Sequence, residues 1–424
     1  MDLLSINNRV AVPFITVTIG EYSFGLYEKT KANLEINGKY YSAMKVTYPN
    51  YMKSLEIQKV NGTLNQYTLT MVYPVTQNDD PNLIDKVISS VSSSRKIVFT
   101  YGDCSTPSFM YRNEEAIITN IRTQLDVASS KITYTINAVS SSLVLAAASF
   151  NFSRYSNKKP SDVIKQILYS KVYGLQDVFY GMHDKDQIEQ LGLILSDDRA
   201  VTIEAKKNIS VLDYLNYLVS CMSSQNDNPN ATLKSARYVM TIHDDISGVL
   251  DGPYFKIDKI ATSAASNSSI NYYTVDIGYP NQDMVVQFSI DDDQSYPLLY
   301  EYSQKSERTD YVYRIDDYGE ISQIYSPSFS NSSELLETTQ ADRTWWAQLT
   351  QFPVHATLQI RGLLRAIILM QTIRINVYFY GRLHNSTGNY LITKQVDNIS
   401  ESGYVTTLSL VRVGDTISPT ENGE

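Results

Sequence analysis

The chain has 424 residues, more than one compact core holds, so two or three domains are predicted. A formal net charge of −9 with no basic block excludes tight duplex binding through a Lys/Arg face, but not a surface that nucleic acid passes without sticking. The 2 cysteines, Cys104 and Cys221, have neither metal nor redox spacing, which excludes a disulfide-stapled scaffold and predicts two buried thiols.

In chain order, Met1-Asp2-Leu3-Leu4-Ser5 carries no basic leader or long apolar core, so no signal peptide is predicted. Phe14 to Ile19 alternates as a strand. Asn37-Gly38 and Asn61-Gly62 each sit between alternating runs and are hairpin signals. The period then changes: Asp80 caps and Pro81 opens a helix with Leu83, Ile84, Val87, Ile88 and Val91 on one face. Strand period returns at Lys96. Strands with one amphipathic helix suit a small barrel with the helix packed on it.

Pro160 opens a second helix with Val163, Ile164, Ile167 and Leu168 on one side. Ser210 caps a third, striped by Leu212, Leu215, Leu218, Val219 and Met222. This segment reads as a mainly helical insert whose stripes are core. Ser263 to Ser269 is a polar linker, and strand period resumes at Ile270 to Ile277 and Met284 to Ile290. Asp316-Asp317-Tyr318-Gly319 marks a turn, Ser326 to Ser333 a loop, and Ser333 to Leu349 a helix carrying Trp345-Trp346. The run from Leu363 to Met370 is the most apolar and falls far short of the ~20 residues that span a bilayer, so no membrane partner is expected. Of the aromatics, 33 are Tyr against 12 Phe and 2 Trp. Such rings suit half-buried sheet and wet interfaces, unless the bias is a habit of the source genome.

A segmental echo organises these elements. Ile117-Ile118-Thr119-Asn120 leads into the strand Ile132 to Asn137, and Leu391-Ile392-Thr393-Lys394 leads into Tyr404 to Leu410. Before each lies a strand run ending Tyr-Gly, at Tyr101-Gly102 and Tyr380-Gly381. Two diverged copies of one β unit point to a scaffold, because duplication builds geometry before chemistry.

Catalysis needs convergent groups, and the sequence offers few. His183, His243, His355 and His384 have no ligand spacing, and no P-loop, nucleophile elbow or His-Glu-x-x-His string occurs. Asp291-Asp292-Asp293 reads as a solvated turn between strands rather than a cation loop, and Asp197-Asp198-Arg199 as a loop with a local ion pair. Trp345-Trp346 reads as a helix anchor in preference to a carbohydrate platform. No catalytic, cofactor or metal residue is assigned, and no enzyme activity is expected.

The C-terminal block resembles the baseplate hub proteins of tailed phages, the group that includes late control protein D. The likeness is carried by Trp345-Trp346-Ala347-Gln348-Leu349, Phe352-Pro353 to Gly362-Leu363, Ile373 to Val377, Tyr390 to Asp397 and Ser402 to Leu410. Ile277-Gly278-Tyr279-Pro280 with Val286 to Phe288 is similar to the strands that begin that family's second barrel. Pro160 to Ile164 and Val211 to Leu215 sit where that family has helices between barrels. Trp346, Pro353, Gly362, Gly381, Gly403 and Thr407 are the family-matching structural positions.

The resemblance implies an α+β, β-dominated chain with two tube-protein-like β-barrels and a mainly helical insert between them. The division is 1–150 for barrel 1, 151–262 for the insert, 263–415 for barrel 2 and 416–424 for a flexible tail. It implies a homotrimer in a virion tail baseplate, adapting a sixfold tube (tail tube or distal tube protein) to a threefold central spike beside other baseplate proteins. DNA would pass through its lumen without specific binding, and no cofactor is implied. A receptor-binding or accessory tail protein is the alternative, and a glycan depolymerase a weaker one.

Overall fold

The computed structural model describes residues 13–20, 22–26, 34–36, 39–41, 46–49, 52–74, 96–103, 112–173, 189, 192–222, 237–244, 253–260, 273–278, 285–292, 312–315, 321–325, 354–361, 369, 372–384, 386–400 and 403–412. The expected helices at Pro81–Val91 and Ser333–Leu349, the linker at Ser263–Ser269, the loop at Ser326–Ser333 and the tail after 415 lie outside the described residues.

Strands dominate the described residues, and 15 of them hydrogen-bond into one sheet, two of which, Val46–Pro49 and Arg382–Leu383, are short marginal strands. The first copy contributes β1 (Pro13–Ile19), β2 (Tyr22–Leu26), β3 (Met52–Val60), β4 (Gln66–Pro74), β5 (Lys96–Asp103), β6 (Arg112–Asp126) and β7 (Lys131–Ser140). The second contributes β8 (Tyr273–Ile277), β9 (Val285–Asp292), β10 (Val354–Arg361), β11 (Thr372–Phe379), β12 (Gly388–Ser400) and β13 (Gly403–Arg412). Period-two alternation puts Leu55, Ile57, Leu69, Met71, Ile97 and Phe99 on one buried face, with Leu358, Ile360, Ile373, Ile375, Ile399 and Leu408 in the same core.

The two copies are the same ladder. In the first, the strand order is β3-β4-β7-β6-β5, and in the second β9-β10-β13-β12-β11. Each has a bulge at the start of its first hairpin, between Met52 and Ser54 and between Val285 and Gln287. Each has a second bulge where one strand skips a threonine, Thr119 or Thr393. Both threonine hydroxyls donate to a carbonyl of the paired strand, Asn137 or Ser409, at 3.1 Å. Bulges bend a strand at a fixed place, so two at matching places mark a shared design. The register superposes Ile117-Ile118-Thr119-Asn120 on Leu391-Ile392-Thr393-Lys394, as the echo in the sequence requires.

The Tyr-Gly match does not survive that register. Lys96 pairs with Ile117 and Thr372 with Leu391, so Tyr101 corresponds to Val377. Gly102 lies in the ladder opposite Phe14, whereas Gly381 turns the chain after β11 with φ 78°. The copies also differ outside the shared ladder: β1 runs antiparallel to β5, but β8 runs parallel to β11.

A seam joins the copies. The first turn of pairing on β12 goes to β11, and its far half, Lys394–Ser400, pairs antiparallel with Val60–Ser54 of β3. The Asn61-Gly62 turn is therefore wider than a two-residue hairpin, because Lys59 and Val60 leave β4 to pair with β12. Among the described residues neither copy closes on itself, and the ladders run on as one sheet instead of two separate barrels.

Between the copies lies a second core. It begins at Leu145, a few residues inside the first expected domain. Helices α1 (Pro160–Tyr169) and α2 (Val211–Cys221) bury the expected stripes, with Pro160 in the first turn and the Ser210 hydroxyl accepting from the Asp213 amide at 3.1 Å. Among the described residues of the insert, strands are as prominent as helices. Three two-stranded antiparallel ribbons accompany the helices: Ser149–Phe152 with Lys206–Ser210, Tyr155–Lys158 with Val201–Ile203, and Arg237–His243 with Tyr254–Ile260. Val239, Met240 and Ile242, opposite Asp258, Ile257 and Phe255, form a ribbon that no helical stripe would have revealed. Cys221 is only partly buried, short of the buried thiol expected, and Cys104 lies outside the described residues.

Candidate functional site

The two copies and the insert meet at a buried ionic network. Lys59 follows Leu55 and Ile57 on the inward face of β3, so strand parity drives its ammonium into the core. Glu114, inward on β6 two residues before Ala116, meets it in a direct ion pair. The Arg112 guanidinium lies 3.3 Å from the same carboxylate. Tyr101 donates to Glu114 at 3.0 Å and Tyr67 at 2.8 Å, so both carboxylate oxygens are occupied. Burying a charge without such partners would be prohibitive.

The insert reaches in through Asp244. Its carboxylate accepts from Asn65 Nδ2 at 2.6 Å and from the Ser140 hydroxyl, and lies 3.0 Å from the Tyr67 hydroxyl. Its backbone carbonyl accepts from the Glu115 amide at 3.1 Å. The second copy reaches in through Asp397, which sits across the seam from Ile57 and accepts from Gln395 and Thr406, both at 2.6 Å.

Environment separates the three carboxyls. Burial alone would raise Glu114, but the Lys59 ammonium and the Arg112 guanidinium outweigh it and lower it to about 2. Burial pushes Asp244 up to about 6, with Glu114 adding to the rise, against the Ser140 and Asn65 bonds and the pull of Lys59. Burial also raises Asp397, against the Thr406 bond and the pull of Lys59 and Arg112. His243, stacked on Tyr254, is lowered to about 3 by burial, with Arg112 and Lys59 adding to the effect.

These groups bind each other, and the arrangement offers no unengaged nucleophile or acid. It holds three parts of the chain at a fixed angle. The second copy has no equivalent, because Gly388 stands where Glu114 does, Ala356 where Tyr67 does and Val377 where Tyr101 does.

No protein-family model and no curated protein matches the chain. Solved structures do. A 43 kDa tail protein of prophage MuSo2 from Shewanella oneidensis superposes with a TM-score of 0.50 at 11% identity, covering 94% of this chain and 98% of that one. The fold is that of a phage tail protein. A tail protein from Neisseria meningitidis gives 0.47 at 10% identity over 94% of this chain and 96% of that one. A component of the E. coli type VI secretion system gives 0.43 at 9% identity, over 87% and 76%.

Trp346, Pro353 and Gly362 lie outside the described residues. Gly381 is in the turn after β11, Gly403 opens β13 opposite Ser400, and Thr407 is a ladder residue between Val396 and Gln359. Asp291 and Asp292 are not a turn: they end strand β9, opposite His355 and Val354. Asp198 is not a surface loop residue either. It is buried and accepts from the Ser161 amide at 3.0 Å and hydroxyl at 2.6 Å, capping α1. Among the described residues, no three His, Cys, Asp or Glu side chains are grouped to hold a metal ion, and no helix is long and apolar enough to cross a membrane.

His243 makes the network sensitive to acid. Its ordinary value is 6.5, so the unfolded chain takes up a proton that the folded chain refuses until about 3. Folded stability therefore falls as pH drops below 6.5, and Glu114 extends the fall below 4.5. Asp244 opposes between 3.8 and about 6, because the fold retains a proton there that the unfolded chain releases. In His243→Gln the fall in Tm between pH 6.5 and 4.5 is expected to flatten, whereas an unchanged Tm–pH profile would remove His243 from the account.

Proposed function

We propose that the chain is a structural tail protein that works as the baseplate hub. Three chains form a ring in the virion tail, and the six β units of that ring match a sixfold tube on one side. The threefold spike binds on the other side, and neighbouring baseplate proteins attach around the ring. The observation that carries this reading is the doubled ladder, with bulges at matching places, joined in one chain by one seam. A trimer of such chains presents six similar, non-identical positions, which is what a threefold-to-sixfold adapter needs. The tail-protein fold supports it.

DNA is expected to slide through the lumen with little affinity. A net charge of −9 supports this, since phosphate attraction is what retards passage. No reaction or cofactor enters the mechanism. Mass measurement of the purified chain is the test, followed by imaging of the particle. Three times the 47.9 kDa of one chain and a ring in projection are expected. A stable monomer with affinity for a glycan would overturn the hub and favour a receptor-binding protein or depolymerase.

A further inference from the structure

The seam inside the chain is a template for a contact outside it. In the shared register, β6 of the first copy corresponds to β12 of the second, and β9 of the second to β3 of the first. The far half of β12 and β3 satisfy each other within the chain. Their counterparts have no such partner. Past Ile117, β6 pairs with β7 on one side and, among the described residues, with no strand on the other. Likewise β9 pairs with β10 and, among the described residues, with nothing beyond it. Bare edges are strand-pairing templates, and a folded chain leaves them uncovered only at a cost in specificity. Both edges also expose apolar side chains, Leu125 at 63% and Ile290 at 37%.

We infer that a second copy of this chain lays its β9 against the far half of β6, antiparallel and in the register of the internal seam. Within the seam, Asp397 faces Ile57, Asn398 faces Glu56 and Ile399 faces Leu55. Carried over through the bulge alignment, Thr123 faces Ile290, Gln124 faces Ser289 and Leu125 faces Phe288 of the second copy. On the inner face, Leu125 and Ile290 are covered beside Ile121 and Phe288, which already pack against the core. On the outer face, Arg122 comes opposite Asp291, both exposed in the single chain. Opposite charges directly across an antiparallel pair favour that register, and a one-residue slip would put Leu125 and Ile290 on opposite faces.

This contact is head-to-tail, so it repeats from chain to chain, and with a closing rotation of one third of a turn it builds the ring. It rests on the trimer proposed above and adds the surfaces that build it. It also places Asp291, near the acidic end of β9, opposite a cation.

The test uses the full chain with Gln124→Cys and Ser289→Cys introduced together, oxidised and resolved on a denaturing gel. Covalently linked trimers are expected, with each single variant unlinked. Arg122→Asp is expected to weaken association by about tenfold or more, because like charges then face each other, and Arg122→Asp with Asp291→Arg to restore it. A chain that still forms trimers but links no faster than the single variants, or is not restored by the charge swap, overturns the edge pairing and leaves the hub. A chain that stays monomeric at every concentration overturns both.

Discussion

Glu114→Gln is expected to cost about 3–5 kcal/mol of folding stability, because it removes one partner of a buried ionic network and leaves the others charged. The substitution keeps the shape of the side chain, so packing alone predicts almost no loss. What changes is charge: Lys59 and Arg112 remain in the core with Asp397 and Asp244 as the acids left to face them, and the Tyr67 and Tyr101 hydroxyls lose a charged acceptor. Glu115→Gln, one residue along, is the comparison. Its partner Lys96 is 66% exposed at 3.0 Å, and such a pair contributes about 0–1 kcal/mol. Denaturant unfolding of the two variants decides the matter. Equal losses below about 1 kcal/mol would mean that water reaches Lys59. Adding Lys59→Met to Glu114→Gln should recover part of the stability, since it removes the buried ammonium that Glu114→Gln leaves without its partner.

The ladder was legible in the sequence and the network was not, for a physical reason. Period-two alternation and the Ile-Ile-Thr-Asn to Leu-Ile-Thr-Lys echo report local geometry, and the bulge threonines sit inside that echo. The ionic network draws on Lys59, Glu114, Asp244 and Asp397, which no local pattern links. One signal was available: Leu55-x-Ile57-x-Lys59 places a lysine at inward parity, as Glu114-x-Ala116 places a glutamate. A charge at an inward position asks for a partner, though parity cannot say which. The Tyr-Gly coincidence misled for the opposite reason. With 33 Tyr and 18 Gly in the chain, a shared dipeptide carries little register information, and hydrogen-bond pairing overrode it. The insert misled because its two amphipathic helices announce themselves, while its short ribbons alternate over only a few residues.

Gly278→Ala is expected to be the costliest substitution among the described glycines of the second copy, at about 3 kcal/mol or more. The resemblance singled out Ile277-Gly278-Tyr279-Pro280 as a string, and close approach supplies the cause. β8 lies parallel to β11, with Ile277 opposite Val377, and Gly278 follows with φ 81°. A Cβ there would sit 2.2 Å from the Tyr378 carbonyl oxygen, a backbone atom with no rotamer to escape into. Gly381→Ala separates the two contributions. It has φ 78° and nothing within 4 Å of its Cβ position, so it should lose only the roughly 1–2 kcal/mol of left-handed strain. In Gly278→Ala, β8 should also part from β11, read as faster hydrogen exchange at the β8 and β11 amides. Equal losses in the two variants, with exchange unchanged along β8, would mean that backbone conformation and not the contact with Tyr378 makes glycine necessary there.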